Sequence, residues 1–252
     1  VFMIYLLSVT DWRAIWVYIS ILVLFFLPIF SFVLIKNLNF DSREELSEDE
    51  SKIINIKNWT RSEVLKDYRF YIICMNMLAM PWIATGVFVY QSFILSSKGW
   101  GPYIIAQSFM VYSIASVITL FLSGFLIDKF TSRKLLVYMN IPLLLSAGVL
   151  FYFKSPISSF FFLGLIGVSN GLANVLGSST WAEIYGVKHI GSIKALTTAL
   201  MVFATAFGTA LFGILIDKGL TIENISVISG TYIFLSIVML FIIKEKLNPK
   251  YQ

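Results

Sequence analysis

Charge is scarce in this sequence. Only 13% of its 252 residues are Asp, Glu, Lys or Arg, where a soluble domain carries about a quarter, and 58% are hydrophobic. So few charges cannot clothe a water-facing surface around that much apolar side chain. Cysteine occurs once, as Cys74 inside an apolar stretch, which excludes a disulfide framework and the ligand set of a zinc or iron–sulfur site. The only histidine, His189, falls in a polar loop and reads as solvated. No nucleophile with its base, metal-ligand set or pair of acids lies at bilayer depth, so the chain does not read as an enzyme and implies no cofactor. No charge ring or filter-like segment suggests a channel. The net charge of +5 does not signal nucleic acid either, because no arginine-rich patch with interleaved aromatics accompanies it. Loops facing a cytoplasm account for that excess.

What the chain has instead is long apolar runs of about 20 residues, the length a helix needs to cross about 30 Å of hydrocarbon. They predict spans at 12–35, 70–95, 103–127, 135–153, 158–181, 195–216 and 226–243. The fold class is therefore all-α, a polytopic membrane helix bundle with the lipid bilayer as its solvent. An apolar stub, 1–9, is too short to span. With no basic leader or cleavage site before it, the stub predicts a chain cut inside a preceding helix.

Sorting the basic residues between alternate loops puts fifteen of the 19 Lys and Arg on one side, with Arg13, Lys98, Lys154 and Lys218 on the other. The positive-inside rule assigns the first side, and with it the C-terminus, to the cytoplasm. The membrane is then a plasma or bacterial inner membrane. The segment 36–66 is the one clear shift in composition, with an acidic run at 44–50, and reads as a solvated cytoplasmic linker. After it, Trp59, Val64, Leu65 and Tyr68 are predicted to share one face of an interfacial helix.

Two segments repeat: Gly124-Phe-Leu-Ile-Asp128-Lys129 and Gly213-Ile-Leu-Ile-Asp217-Lys218. Each closes the second helix of a three-helix group, one on each side of the membrane. The two groups are thus expected to be inverted repeats of one another.

The segment Gly124-Phe-Leu-Ile-Asp128-Lys129-Phe-Thr131-Ser-Arg133-Lys134 resembles the Gly-x-x-x-Asp-Arg-x-Gly-x-Arg-Arg signature of major facilitator superfamily transporters, with Thr131 at a glycine position. Asp11-Trp12-Arg13 is similar to the Gly-Trp-Arg that often precedes the sixth helix. The stretch from Asn58-Trp59-Thr60 to Tyr68-Arg69-Phe70 resembles the entry to the seventh helix in the monocarboxylate and oxalate/formate carrier branch. The resemblance implies the end of helix five and helix six of an N-terminal half at 1–35, an inter-half linker at 36–66, and a C-terminal six-helix domain at 67–252. It implies a secondary carrier that moves a small polar solute by alternating access, with the missing N-terminal helices as its partner. Organic-anion carriers of that branch usually place a cation in the eighth or eleventh helix. This sequence departs from that pattern, since span 103–127 holds none and Lys194 lies only at the cytoplasmic edge of the eleventh; the resemblance implies a small polar solute, with an organic acid as one candidate. A membrane sensor or receptor on the same bundle is the alternative function. By the matching motif, Asp128, Lys129 and Arg133 are implied to hold a cytoplasmic gate.

No charge falls at mid-span, so neutral polar residues are the candidates for the substrate pathway. On a helical wheel Asn76, Tyr90 and Gln91 fall within about 60° of one another around Pro81, a hinge candidate because it leaves a carbonyl unpaired. Asn170 and Asn174 share one face beside Gly167 and Gly171. Tyr112 belongs to a stripe with Ser108, Ser116, Thr119 and Ser123.

Overall fold

A computed structural model of the protein describes residues 10–36 and 57–248. The stub 1–9, the acidic run 44–50 and the last four residues lie outside the described residues. The chain divides into two units, Val1–Asn55 and Ile56–Gln252, and each is described by itself.

The first unit contributes α1 (Trp12–Lys36), apolar on every face, with Pro28 inside it. A helix hydrophobic all round suits lipid and not water.

The second unit begins with Thr60, whose side chain accepts from the Glu63 N–H while the Glu63 carboxylate accepts from the Thr60 N–H, a capping box that starts α2 (Arg61–Lys66). Asp67 then caps α3 (Tyr68–Val89), accepting from the Arg69 N–H at 3.0 Å. The break between them divides the face expected of this segment. Trp59 and Val64 turn into the core, whereas Leu65 and Tyr68 are exposed. The first long span is also divided, at Tyr90, into α3 and α4 (Gln91–Lys98). Gly99 ends α4 with a positive φ, and Pro102 at the first turn of α5 (Pro102–Phe130) needs no amide donor there.

The predicted span 135–153 is the largest departure. It consists of a single turn, α6 (Ser132–Leu135), a run of turns, and α7 (Ile141–Tyr152), only 12 residues long. Pro142 lacks an N–H and disfavours helical geometry at Ile141. The chain before it is held instead by tighter bonds from Tyr138 N to Leu135 O, Met139 N to Leu136 O and Ile141 N to Tyr138 O. Next come α8 (Ser158–Tyr185), α9 (Ile190–Asp217) and α10 (Ile222–Ile243), then a 3-10 turn at Lys244–Leu247. The described residues contain no strand, and six of the helices are long and apolar enough to cross a membrane.

Backbones touch where glycine permits. A Cβ on Gly167 of α8 would lie 2.4 Å from the Tyr112 carbonyl of α5, and one on Gly208 of α9 would lie 2.0 Å from the Trp82 carbonyl of α3. Small residues at such crossings take the place of the hydrophobic drive that lipid does not supply. The two ends of the bundle are tied by polar contacts. At one end the Arg69 guanidinium pairs with Asp67 at 2.7 Å and donates to the carbonyls of Lys246 and Asn248, while the Tyr185 hydroxyl donates to Asp67. At the other, Lys98 pairs with Glu223 at 2.8 Å, and the Trp100 indole donates to the Lys154 carbonyl. The segment 124–129 closes α5 at the Arg69 end, where the turn after it meets Glu183. The segment 213–218 closes α9 at the opposite end, where Gly213 meets the Tyr90 hydroxyl. The two groups are therefore inverted.

Candidate functional site

A cavity of about 460 Å³ opens among α3, α5, α8 and α9. On α8 the lining positions Asn170, Asn174, Ser178 and Trp181 recur every three or four residues, which places them on one helix face. On α9 the same spacing brings in Lys194, Thr197, Thr198 and Met201. Pro81 lies in the α3 wall, where it leaves the Met77 carbonyl without its helical donor. Tyr112 of α5 closes one side with its ring edge-on to Phe88 at 5.3 Å.

Three polar side chains of the lining are anchored to helix backbone. Asn174 Nδ2 donates to the Asn170 carbonyl at 3.0 Å, Ser178 Oγ to the Val175 carbonyl at 2.9 Å, and Thr197 Oγ1 to the Lys194 carbonyl at 3.1 Å. Asn170 Nδ2 donates across to Ser116 Oγ of α5 at 2.9 Å. Lys194 is exposed and is the one charged residue of the lining. Cys74, Met77, Met80, Met139 and Met201 make up much of the remaining wall, and thioether side chains adapt readily to the shape of a bound body.

The cavity unites Pro81, Tyr112, Asn170 and Asn174 of the sequence candidates; Asn76, Tyr90 and Gln91 are not in its lining. The Asn76 side chain is fully buried with neither end of its amide bonded, and its backbone carbonyl accepts from Asn140 Nδ2 at 2.6 Å. Tyr90 stacks on Phe212, with ring centroids 6.4 Å apart. Gln91 is half-buried at the start of α4. The wheel that joined these three assumed one straight helix, and the break at Tyr90 resets the phase. Of the α9 contribution, sequence reasoning had noted only Lys194, at the edge of the helix, and not Thr197, Thr198 or Met201. The signal was the polar spacing of Lys194, Thr197 and Thr198 within an apolar run.

The family model described as Major Facilitator Superfamily matches residues 1–209 and, in a second overlapping match, residues 71–252. The chain belongs to the Major Facilitator Superfamily. It is an integral membrane protein of a transporter family, in contact with the lipid bilayer and built to handle a small solute. No curated protein matches the chain.

The segment that resembles the superfamily signature forms a lock with a partner the motif did not reveal. Arg133 Nε lies 3.0 Å from Glu183 Oε1. Glu183 Oε2 accepts from the Ser132 N–H at 2.9 Å, from the Ser132 hydroxyl and from the Arg133 N–H. Thr131, at φ 69°, turns the chain so that these donors aim at the end of α8. Asp128 and Lys129 precede that turn and are exposed. Lys129 lies over the Phe130 ring, and Asp128 makes no ion pair among the described residues. A signal was available: Glu183 is the only acid between Asp128 and Asp217.

Proposed function

We propose that this chain is the C-terminal half, with one helix and the linker of the preceding half, of a secondary carrier that moves a small organic acid by alternating access. Residues 1–35 supply the end of helix five and helix six, 36–66 the linker and 67–252 the six-helix domain; the missing N-terminal helices complete the pathway. The carrier sits in a plasma or bacterial inner membrane with its C-terminus in the cytoplasm, as the distribution of Lys and Arg supports. The Asn58 to Phe70 segment supports a place in the monocarboxylate and oxalate/formate branch.

The observation that carries the acid reading is the charge of the cavity: Lys194 lines it and no Asp or Glu does. A single cation beside neutral amides and hydroxyls favours an anionic group, and the Met and Cys wall receives an apolar body. Tyr112, Asn170 and Asn174 orient the solute, and Pro81 lets α3 flex against it. Asn76, Tyr90 and Gln91 act from outside the lining, as packing that sets the course of α3 and α4. The turn carrying Asp128, Lys129 and Arg133, held to α8 by Glu183, closes the cytoplasmic side.

A charge-assisted hydrogen bond contributes about 1.5–3 kcal/mol, equivalent to roughly 10- to 100-fold in affinity. Lys194→Gln, placed in the full-length carrier and assayed in proteoliposomes with a panel of labelled short-chain acids, should raise the apparent KM for the transported acid by that factor. Unchanged acid uptake in the variant sinks the assignment.

A further inference from the structure

We propose that the carried solute bears a hydroxyl or N–H donor that seats on the side-chain oxygen of Asn174, at a point distinct from the acidic group held by Lys194. The inference rests on the carrier reading above and adds to it the hydrogen-bond polarity of the site.

The orientation of the Asn174 amide follows from chemistry. Its partner is the Asn170 backbone carbonyl at 3.0 Å, an oxygen that only accepts, so the amide nitrogen must be the end turned toward it. The Asn174 oxygen is left with both lone pairs and no protein partner among the described residues, on an exposed side chain that lines the cavity. The nearby hydroxyls have the same bias. Ser178 and Thr197 each have one hydroxyl proton, and each gives it to a carbonyl of its own helix, so their oxygens face a ligand as acceptors. Asn170 meets the Ser116 hydroxyl, which serves either role, so this amide adds no fixed bias.

Against these acceptors stand the one remaining N–H of Asn174, and the Asn170 amide and the hydroxyls of Tyr112, Thr85 and Thr198, which serve either role. An acid whose only polar atoms are its carboxylate oxygens satisfies Lys194 and takes Asn174 out of water without a partner. A polar group desolvated and left unpaired is what allows a site to reject an analogue lacking one hydroxyl. The preferred solute is thus a hydroxy or amino acid, or a related acid with a donor away from its carboxylate.

Trp181 lines the same cavity, so intrinsic fluorescence of the purified full-length carrier reads occupancy, with Trp181→Phe as the control for signal origin. The probes are matched pairs differing by one hydroxyl: 3-hydroxybutyrate against butyrate, lactate against propionate, and the neutral pair propane-1,2-diol against propan-1-ol. The hydroxylated acid of each pair should bind about tenfold more tightly, and Asn174→Leu should lower it to the affinity of its partner. Equal affinities within the acid pairs of the unmodified protein overturn this inference and leave the acid reading standing. Discrimination within the neutral pair with no binding of acids overturns the acid reading and leaves this one. Absence of binding by every pair overturns both.

Discussion

Thr131 lies in a region of backbone space, φ 69° and ψ 147°, that a β-branched residue rarely enters, and it is the only described non-glycine residue with a positive φ. Such a conformation costs about 1–3 kcal/mol, sustained here by the Glu183 contacts on the two residues that follow. The Thr131 hydroxyl adds to the cost, because it is buried without a hydrogen-bond partner. Replacing Thr131 by Gly removes both penalties. Set against that gain are about 0.5–1 kcal/mol for the greater freedom of glycine in the unfolded chain and about 0.8 kcal/mol for a lost methyl that is only half-buried. The net expectation is a stabilisation of about 1–2 kcal/mol. Thr131→Ala keeps the Cβ, and with it the strain, while deleting the hydroxyl, so the step from Ala to Gly isolates the backbone term. The measurement is unfolding of the purified protein in mixed micelles by titration with SDS, followed by far-ultraviolet circular dichroism. If the glycine variant is no more stable than the alanine variant, the strain argument is wrong.

Gly208→Ala should destabilise by about 2–3 kcal/mol, because its Cβ would meet the Trp82 carbonyl at 2.0 Å and force α9 away from α3. Gly148→Ala meets nothing within 4 Å and should be neutral or slightly stabilising in the same titration; equal effects of the two changes would refute the packing account. Arg69→Met strands a buried Asp67 carboxylate and should cost about 3–5 kcal/mol, while the double change with Asp67→Asn should recover a large part of that loss. A double variant as unstable as the single one would mean that packing of the long Arg69 side chain, and not its charge, holds that end together.

Long helices were legible from apolar run length because hydrocarbon thickness imposes it, and six of the seven predicted spans correspond to long helices of the structure. The exception, 135–153, was misread because apolarity says nothing about backbone donors. Pro142 interrupts the ladder while Leu135, Leu136 and Met139 keep the run hydrophobic. At the cavity, the spacing of Asn170 and Asn174 on one unbroken helix carried over directly to a shared lining. The grouping of Asn76 with Tyr90 and Gln91 did not, since it crossed Pro81 and the break at Tyr90, and each interruption redirects the faces beyond it. Glu183 was missed, and Lys194 was placed at the cytoplasmic edge of its helix but not in the cavity, for a different reason. Both sit at helix ends, where a charged residue reads as ordinary solvation until a neighbouring element is brought against it.

Two ties to α10, one made of hydrogen bonds to carbonyls and one an ion pair, act together on the α3–α4 segment. Arg69, at its start, grips the carbonyls that follow α10, and Lys98, at its finish, grips Glu223 at the beginning of α10. The segment is in effect a beam clamped at both ends to a parallel strut. A clamped beam cannot swing as a lever; under load it bows, and the deflection is largest near mid-length. Pro81, where one rung of the hydrogen-bond ladder is absent, lies there, facing the cavity. Displacement at this wall is therefore confined to the level of the cavity, and the ends of α3–α4 move with α10 as one piece.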